Sequence, residues 1–480
     1  MSASDYTLLM PFIILAGTSL IDIILIAVKR NRLLTGWITL LGIAVAFISN
    51  LTISGFGSLP HTIGTLFVID RFATFFIGLI LAGAFAVTAI ALSYLGKHKE
   101  KPEEFFVLIL LSTLGGSVLV ISQHFISFFL GLETLSISLY TLIAYHHSFS
   151  RQIEAGLKYL ILAAVSSAFL LFGMALIYAA TGTMEFAKLV TPTGDLYSPF
   201  LMLSGIAVLI VGLGFKLAVV PFHMWTPDVY QGASAPVTSY IATVSKGSVF
   251  ALLLRLFTAI NIFDYPSIIL VFTIIAIASM FIGNWLALLQ TNVKRILAYS
   301  SIAHLGYLLV AFLAGGELGT EAAAFYLVAY FITTIGAFGI ISVLSGNEKE
   351  AEEITDFKGL YWRRPFVATV FTAMLFSLAG IPLTAGFLGK FYVVAAGVHS
   401  AKWLLLICLV INSTIGLFYY LRLVVAMFSE REAGETITGQ VIGYIDSIVI
   451  AVLTLLLVWF GTYPSVIFEI IKHSVDSLIR

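Results

Sequence analysis

Charged side chains set inside apolar sequence mark where this chain could do chemistry. Lys216 lies in VGLGFKLAVVPFHMW, shortly before Pro221, and Lys390 lies in SLAGIPLTAGFLGKFYVV, after Gly380, Pro382, Gly386 and Gly389. Glu133 is flanked by apolar turns in FISFFLGLETLSISLY, and Lys246 sits in IATVSKGSVFALLLR. A Lys or Asp at mid-bilayer costs roughly 2.5–3.5 kcal/mol on insertion scales, so each should face protein or water rather than lipid. Prolines 221 and 382 each remove a backbone hydrogen bond, and lipid tolerates the freed carbonyl only where protein or water takes it up. A lysine beside a helix break therefore predicts a hydrated cavity.

The chemistry these residues suit is proton movement. An amine held away from bulk water can lose and regain a proton, and a neighbouring carboxylate makes that exchange tunable. Lys158, in EAGLKYLILAAV, is a candidate relay member, although its place near a helix start equally suits a snorkelling anchor. His223, in PFHMW, and His304, in AYSSIAHLGYLLV, are candidate relays too, against the plainer reading of a hydrogen-bonded core histidine. His146 and His147 adjoin at a helix end, poor geometry for zinc, and no metal is assigned. The sequence contains no Walker A loop, Rossmann glycine fingerprint or Ser-nucleophile motif.

The elements that position these residues follow from composition. Of 480 residues, 60% are hydrophobic and 10% charged, against about 25% charged in soluble proteins. Lys+Arg and Asp+Glu balance at 25 each, which leaves no basic field for nucleic acid. A single cysteine, Cys408, excludes a disulfide framework, an iron–sulfur cluster or a thiolate cage. About fourteen apolar runs reach spanning length: 7–28, 34–54, 66–95, 105–121, 124–145, 157–180, 199–221, 234–260, 266–289, 296–314, 321–345, 366–398, 402–428 and 441–465. The fold class is an all-α polytopic membrane protein, one integral membrane domain over 1–480. Residues 105–260 and 266–428 are expected to form two inverted five-helix repeats, each with a broken helix.

The start MSASDYTLLM lacks a signal-peptide pattern, so the first run is expected to stay as a spanning helix. The bias of short-loop cations orients the chain. It puts Lys29, Arg30, Arg32, Lys97, Lys99, Lys101, Arg151, Lys294, Arg295, Lys349, Lys358, Arg363, Arg364 and Arg431 inside. Lys188, Lys402, Lys472 and Arg480 fall outside, with Arg71 near the edge, and both termini on the outer side. The polar loop 346–365 faces inward as a solvated connection or a docking surface.

GLGFKLAVVPFHMWTPDVYQGASAPVTSYIATVSK, followed by VKRILAYSSIAHLGY, resembles the antiporter-like membrane subunits of respiratory complex I. FKGLYWRRPFVATVFTAMLFSLAGIPLTAGFLGKFYVV resembles the N-type branch of that family, and the resemblance covers essentially the whole chain. It implies a proton-translocating membrane-arm subunit of an NADH–quinone oxidoreductase in a bacterial inner membrane. Glu133 and Lys216 would form an interacting pair, with Lys246 linking along a polar axis toward Lys390. No cofactor is expected in this chain; flavin, iron–sulfur clusters and quinone would sit in partner subunits. Expected partners are M-type and small K-, J- and A-type membrane subunits, with lipids around them. A subunit of a multi-subunit cation/proton antiporter or of an energy-converting hydrogenase is the alternative, because those proteins share the buried lysines.

Overall fold

The computed structural model describes residues 3–55, 59–97, 102–145, 150–189, 198–346, 350–430 and 443–479. Its principal helices are α1 (Met10–Val28), α2 (Arg32–Ser54), α3 (Arg71–Leu95), α4 (Glu103–Ile121), α5 (Phe125–Ile143), α6 (Ser150–Thr181), α7 (Pro199–Leu217), α8 (Trp225–Gly232) and α9 (Ala235–Ala259). They continue with α10 (Pro266–Leu288), α11 (Val293–Ala314), α12 (Gly316–Leu344), α13 (Pro365–Ala379), α14 (Ala385–His399), α15 (Trp403–Phe428), α16 (Tyr444–Thr462) and α17 (Ser465–Ile479). Among the described residues thirteen helices are long and apolar enough to cross a membrane. A further crossing is assembled from the half-helices α13 and α14. α9 is wholly buried and α11 and α12 nearly so, whereas α1 and α16 turn most of their surface outward. The polar side chains of the central helices thus find protein partners, as a bilayer requires.

Both expected breaks are present, and both are stitched by side chains. α7 stops at Leu217, ahead of Pro221, because Ala218 adopts a left-handed φ of 60°. The Phe215 carbonyl then accepts from Trp225 Nε1 (3.0 Å), and the Val220 amide donates to Ser279 Oγ (2.9 Å). α13 ends at Gly380, φ 87°, and Thr384 caps α14. Gly386 is required there, since a Cβ would lie 2.0 Å from the Ser377 carbonyl oxygen.

Two helix starts and one added helix depart from the sequence expectation in ways the local residues explain. The run from residue 66 opens with a hairpin, β1 (His61–Ile63) against β2 (Phe67–Ile69), with Thr62 opposite Val68. Asp70 then caps α3 by accepting from the Ala73 amide (2.7 Å), which moves the helix start to Arg71. α6 begins at Ser150 rather than 157, and the amphipathic α17, too polar to read as a span, follows α16.

Polar contacts separate into two ends. At one, Arg30 meets Glu104 (2.5 Å), Arg151 meets Glu352 (3.0 Å) and Lys97 donates to the Ser345 carbonyl (3.0 Å). Lys188, paired with Glu185 (2.8 Å), and Arg71 lie at the other. Lys99, Lys101, His146, His147, Lys349, Arg431 and Arg480 lie outside the described residues.

Candidate functional site

The first cluster forms where α5, α6 and α7 meet. Lys216, in the last turn of α7, is buried and donates to Ser136 Oγ (2.7 Å). Its ammonium lies 5.9 Å from the Tyr159 ring centre, within cation–π range. Glu133, one turn before Ser136 on α5, is half-buried and accepts from Ser167 Oγ (2.5 Å). Lys216 of α7 therefore meets the α5 face that carries Glu133 without a direct ion pair; a serine stands at each.

The second cluster surrounds Lys246, which is buried on α9 immediately after a single π-helical turn, Ile241–Ser245. Such turns often accompany functional sites. Lys246 donates to Ser301 Oγ (2.7 Å), which also accepts from Tyr330 (2.7 Å). One turn along α11, His304 joins two tyrosines. Its Nδ1 meets the Tyr326 hydroxyl (2.7 Å) and its Nε2 meets Tyr420 (3.2 Å), which itself hydrogen-bonds Ser300.

Lys390 closes the row. It reaches from α14 to the carbonyls of Leu378 (3.0 Å) and Ala379 (2.8 Å), the orphaned end of α13, and to Ser413 Oγ (2.9 Å). A cation is favoured at a helix C-terminus, so the break and the lysine stabilise one another. Tyr307 lies between Lys390 and His304, with its ring centre 5.3 Å from the ammonium and 5.5 Å from the imidazole. Its hydroxyl accepts from Asn284 (3.0 Å), which is within reach of Asn412 (3.3 Å).

Not every candidate joins this row. Lys158 is half-exposed and ion-paired with Glu154 (2.8 Å) and Asp228 (3.0 Å), and Asp228 also holds Arg295 (2.8 Å). That is the anchoring arrangement rather than a buried relay. His223 is buried beside Pro221, and neither ring nitrogen has a hydrogen-bond partner among the described residues. Two charged residues were missed: Arg255, buried on α9 and bidentate to Asp70 (2.9 Å each), and Asp22, buried on α1 and bonded to Thr39 (2.7 Å). Both carry the signal used for the lysines, a charge inside an apolar run. Ser301, Tyr326, Tyr330 and Tyr420 carried no such signal.

Among the described residues, thirteen helices of spanning length and a pair of apolar half-helices, with two breaks beside buried lysines and a hydroxyl- and imidazole-lined row between them, define a polytopic membrane protein built for moving small cations. The chain belongs to the NADH:quinone oxidoreductase/Mrp antiporter transmembrane family, whose model matches residues 122–416. It is 44% identical over 449 residues to the NADH-quinone oxidoreductase subunit N of Methylococcus capsulatus, covering 91% of this chain and 89% of that protein. It is equally 44% identical to the subunit of that name from Ectopseudomonas mendocina, over 98% of this chain and 97% of the relative. A chain of respiratory complex I from Thermus thermophilus superposes with a TM-score of 0.81 at 33% identity, covering 96% of this chain and 98% of the other.

Proposed function

We propose that this chain is the N-type membrane-arm subunit of a bacterial proton-pumping NADH–quinone oxidoreductase, and that Glu133, Lys216, Lys246 and Lys390 carry its protons. The observation that supports this most is the row of three buried lysines, each held by a serine hydroxyl rather than by a carboxylate. A buried ammonium matched by a carboxylate is locked, because separating the pair strands a charge. One matched by a hydroxyl has a partner that both donates and accepts, so a proton can leave without breaking an ion pair. Lys246–Ser301–Tyr330 and Tyr326–His304–Tyr420–Ser300 are two such hydroxyl-linked stretches on adjoining turns of α11. A cavity of about 10 Å3 beside His304, Tyr330 and Ser377 is at the lower limit for a single water, which would bridge them. Between the two clusters stand Tyr159, beside Lys216, and Tyr230, whose hydroxyl meets Ser301 (3.4 Å) and whose ring lies 5.4 Å from Lys246; in this reading water completes the link.

In this reading the lysine row is driven from outside the chain. Electron transfer, flavin, iron–sulfur clusters and quinone belong to partner subunits, and a change of charge in a neighbour reaches Glu133 from its half-exposed side. The neighbours are an M-type subunit and the small K-, J- and A-type subunits. Residues 105–260 and 266–428 act as inverted repeats whose fourth helices are the broken ones. The Lys/Arg-rich end faces the cytoplasm, and both termini face the periplasm.

Purification in mild detergent through a tag on this chain tests the assignment. Flavin, iron–sulfur centres and NADH–quinone reductase activity should co-purify. A stable assembly of membrane subunits alone, exchanging cations for protons in vesicles, would establish the antiporter alternative instead.

A further inference from the structure

Away from the lysine row, two cavities run together along one face of α3. The first, about 550 Å3, lies between α2, α3, α12 and α16 and is lined by residues such as Ile43, Phe331, Ile335 and Leu453, with no polar side chain. The second, about 760 Å3, shares Phe47, Leu79, Ala82, Val328 and Phe460 with the first and ends among Arg71, His473, Asn50 and Thr74. Both fall within the usual size range of small-molecule sites. On α3 the lining residues Arg71, Thr74, Gly78, Ala82 and Ala86 recur at three- and four-residue spacing, one continuous helix face. At about 1.5 Å per residue that face is roughly 22 Å long, more than the ~15 Å hydrocarbon depth of one leaflet.

The two ends of the groove differ in chemistry. Asn50 donates one hydrogen bond to the Thr74 carbonyl (2.8 Å), and Ser474 donates to the Ile470 carbonyl (2.7 Å). Arg71 and His473 are exposed, and among the described residues neither has a carboxylate or hydrogen-bond partner. No Asp or Glu lines either cavity. The amides that open α3 are already taken, Ala73 by the Asp70 carboxylate (2.7 Å) and Phe72 by Ser477 Oγ (3.0 Å), so the group that meets an anion at this end is the Arg71 guanidinium. A planar guanidinium at such a place suits a phosphate.

We propose that this groove binds one phospholipid. Its phosphate rests on Arg71 and His473, and an acyl chain threads past Gly78 and Ala82 into the apolar cavity between α3, α12 and α16. One charged head and a long apolar tail match one cationic end and a long apolar channel, and the inner of the two cavities has no side chain to hydrogen-bond a polar ligand. The site is independent of the proton pathway.

The test is photolabelling of the intact complex in vesicles of phosphatidylethanolamine and phosphatidylglycerol, with a probe phosphatidylglycerol bearing a diazirine near the acyl terminus. Adducts should concentrate in the segments 43–48, 79–86 and 448–456, above the level on the outward-facing Leu404, Ile407 and Ile411 of α15. A diacylglycerol carrying the same diazirine should label the groove about tenfold less, the expected loss of a charge-assisted contact. The double variant Arg71→Gln/His473→Gln should lower phospholipid labelling comparably, and Ala82→Trp should remove it. Equal labelling by the two probes, or groove labelling no higher than on α15, would overturn the proposal. So would crosslinking of the groove to a neighbouring subunit in place of lipid.

Discussion

Ser301 is the side chain on which two others depend. Its hydroxyl oxygen accepts from Lys246 and from Tyr330, each at 2.7 Å. Hydrogen bonds to charged groups are worth about 1.5–3 kcal/mol. Ser301→Ala should therefore slow NADH-driven proton uptake by about tenfold or more, with Tyr330→Phe milder, as read by a pH-sensitive dye in inverted vesicles. Full uptake in an assembled Ser301→Ala complex would remove the serine from the pathway. The lysines were legible in the sequence because a charge in an apolar run is costly and so needs a reason. Their partners were not, because serine and tyrosine are ordinary residues in spanning helices and only the packing of α9, α11, α12 and α15 brings them together. Lys158 was open to two readings in the sequence, and its ion pairs favour the anchor; what local spacing does not show is the acidic partner Asp228, 70 residues further along the chain.

The elements make a second set of demands. Gly380 ends α13 with φ 87°, and a Cβ there would lie 2.8 Å from Lys390 Cδ and 3.1 Å from its Nζ. Gly380→Ala should cost about 1–2 kcal/mol in left-handed strain alone and displace the ammonium from the carbonyls it caps. Both a lower thermal midpoint and weaker pumping are expected; a midpoint and rate matching the parent would refute the role given to the break. At the Lys/Arg-rich end, Glu350 accepts from Lys294 (2.5 Å), Tyr94 (2.6 Å) and the Ala235 amide (3.0 Å), tying the 350–357 connection to α3, α9 and α11. Burial alone pushes the Glu350 carboxyl up, but Lys294, Tyr94 and the amide outweigh it and hold it below the ordinary range. A carboxyl depressed in the folded state contributes stability above its unfolded value, near ~4.5, and loses it as pH falls toward the folded value. Thermal midpoints of the parent should accordingly drop more steeply than those of Glu350→Gln between about pH 5 and 3. At neutral pH Glu350→Gln should be less stable by about 3–5 kcal/mol, because Lys294 is left buried without its counter-charge. Parallel pH profiles would contradict this. The two breaks could be read from Gly and Pro in apolar runs. The hairpin before α3 could not, because an apolar count runs straight across it and only the Asp70 cap marks the start.

At the scale of the whole molecule, the separation of cations into two ends makes the proposed orientation in the bilayer testable. Cys408 is the chain's one cysteine and is buried, so single added cysteines report cleanly. A membrane-impermeant maleimide applied to intact cells should label Lys188→Cys and leave Lys29→Cys unlabelled until the membrane is opened. The reverse pattern would invert the proposed orientation. Fold class and family were legible from composition and a few long motifs, because the bilayer restricts a chain this apolar to spanning helices. If protons cross through the lysine row, Lys246→Met should interrupt them, because it removes the amine while keeping a side chain of similar length. The measurement is protons translocated per NADH oxidised, in vesicles holding the assembled complex. That ratio should fall below the parent's; an unchanged ratio in a fully assembled complex would mean that protons take another route.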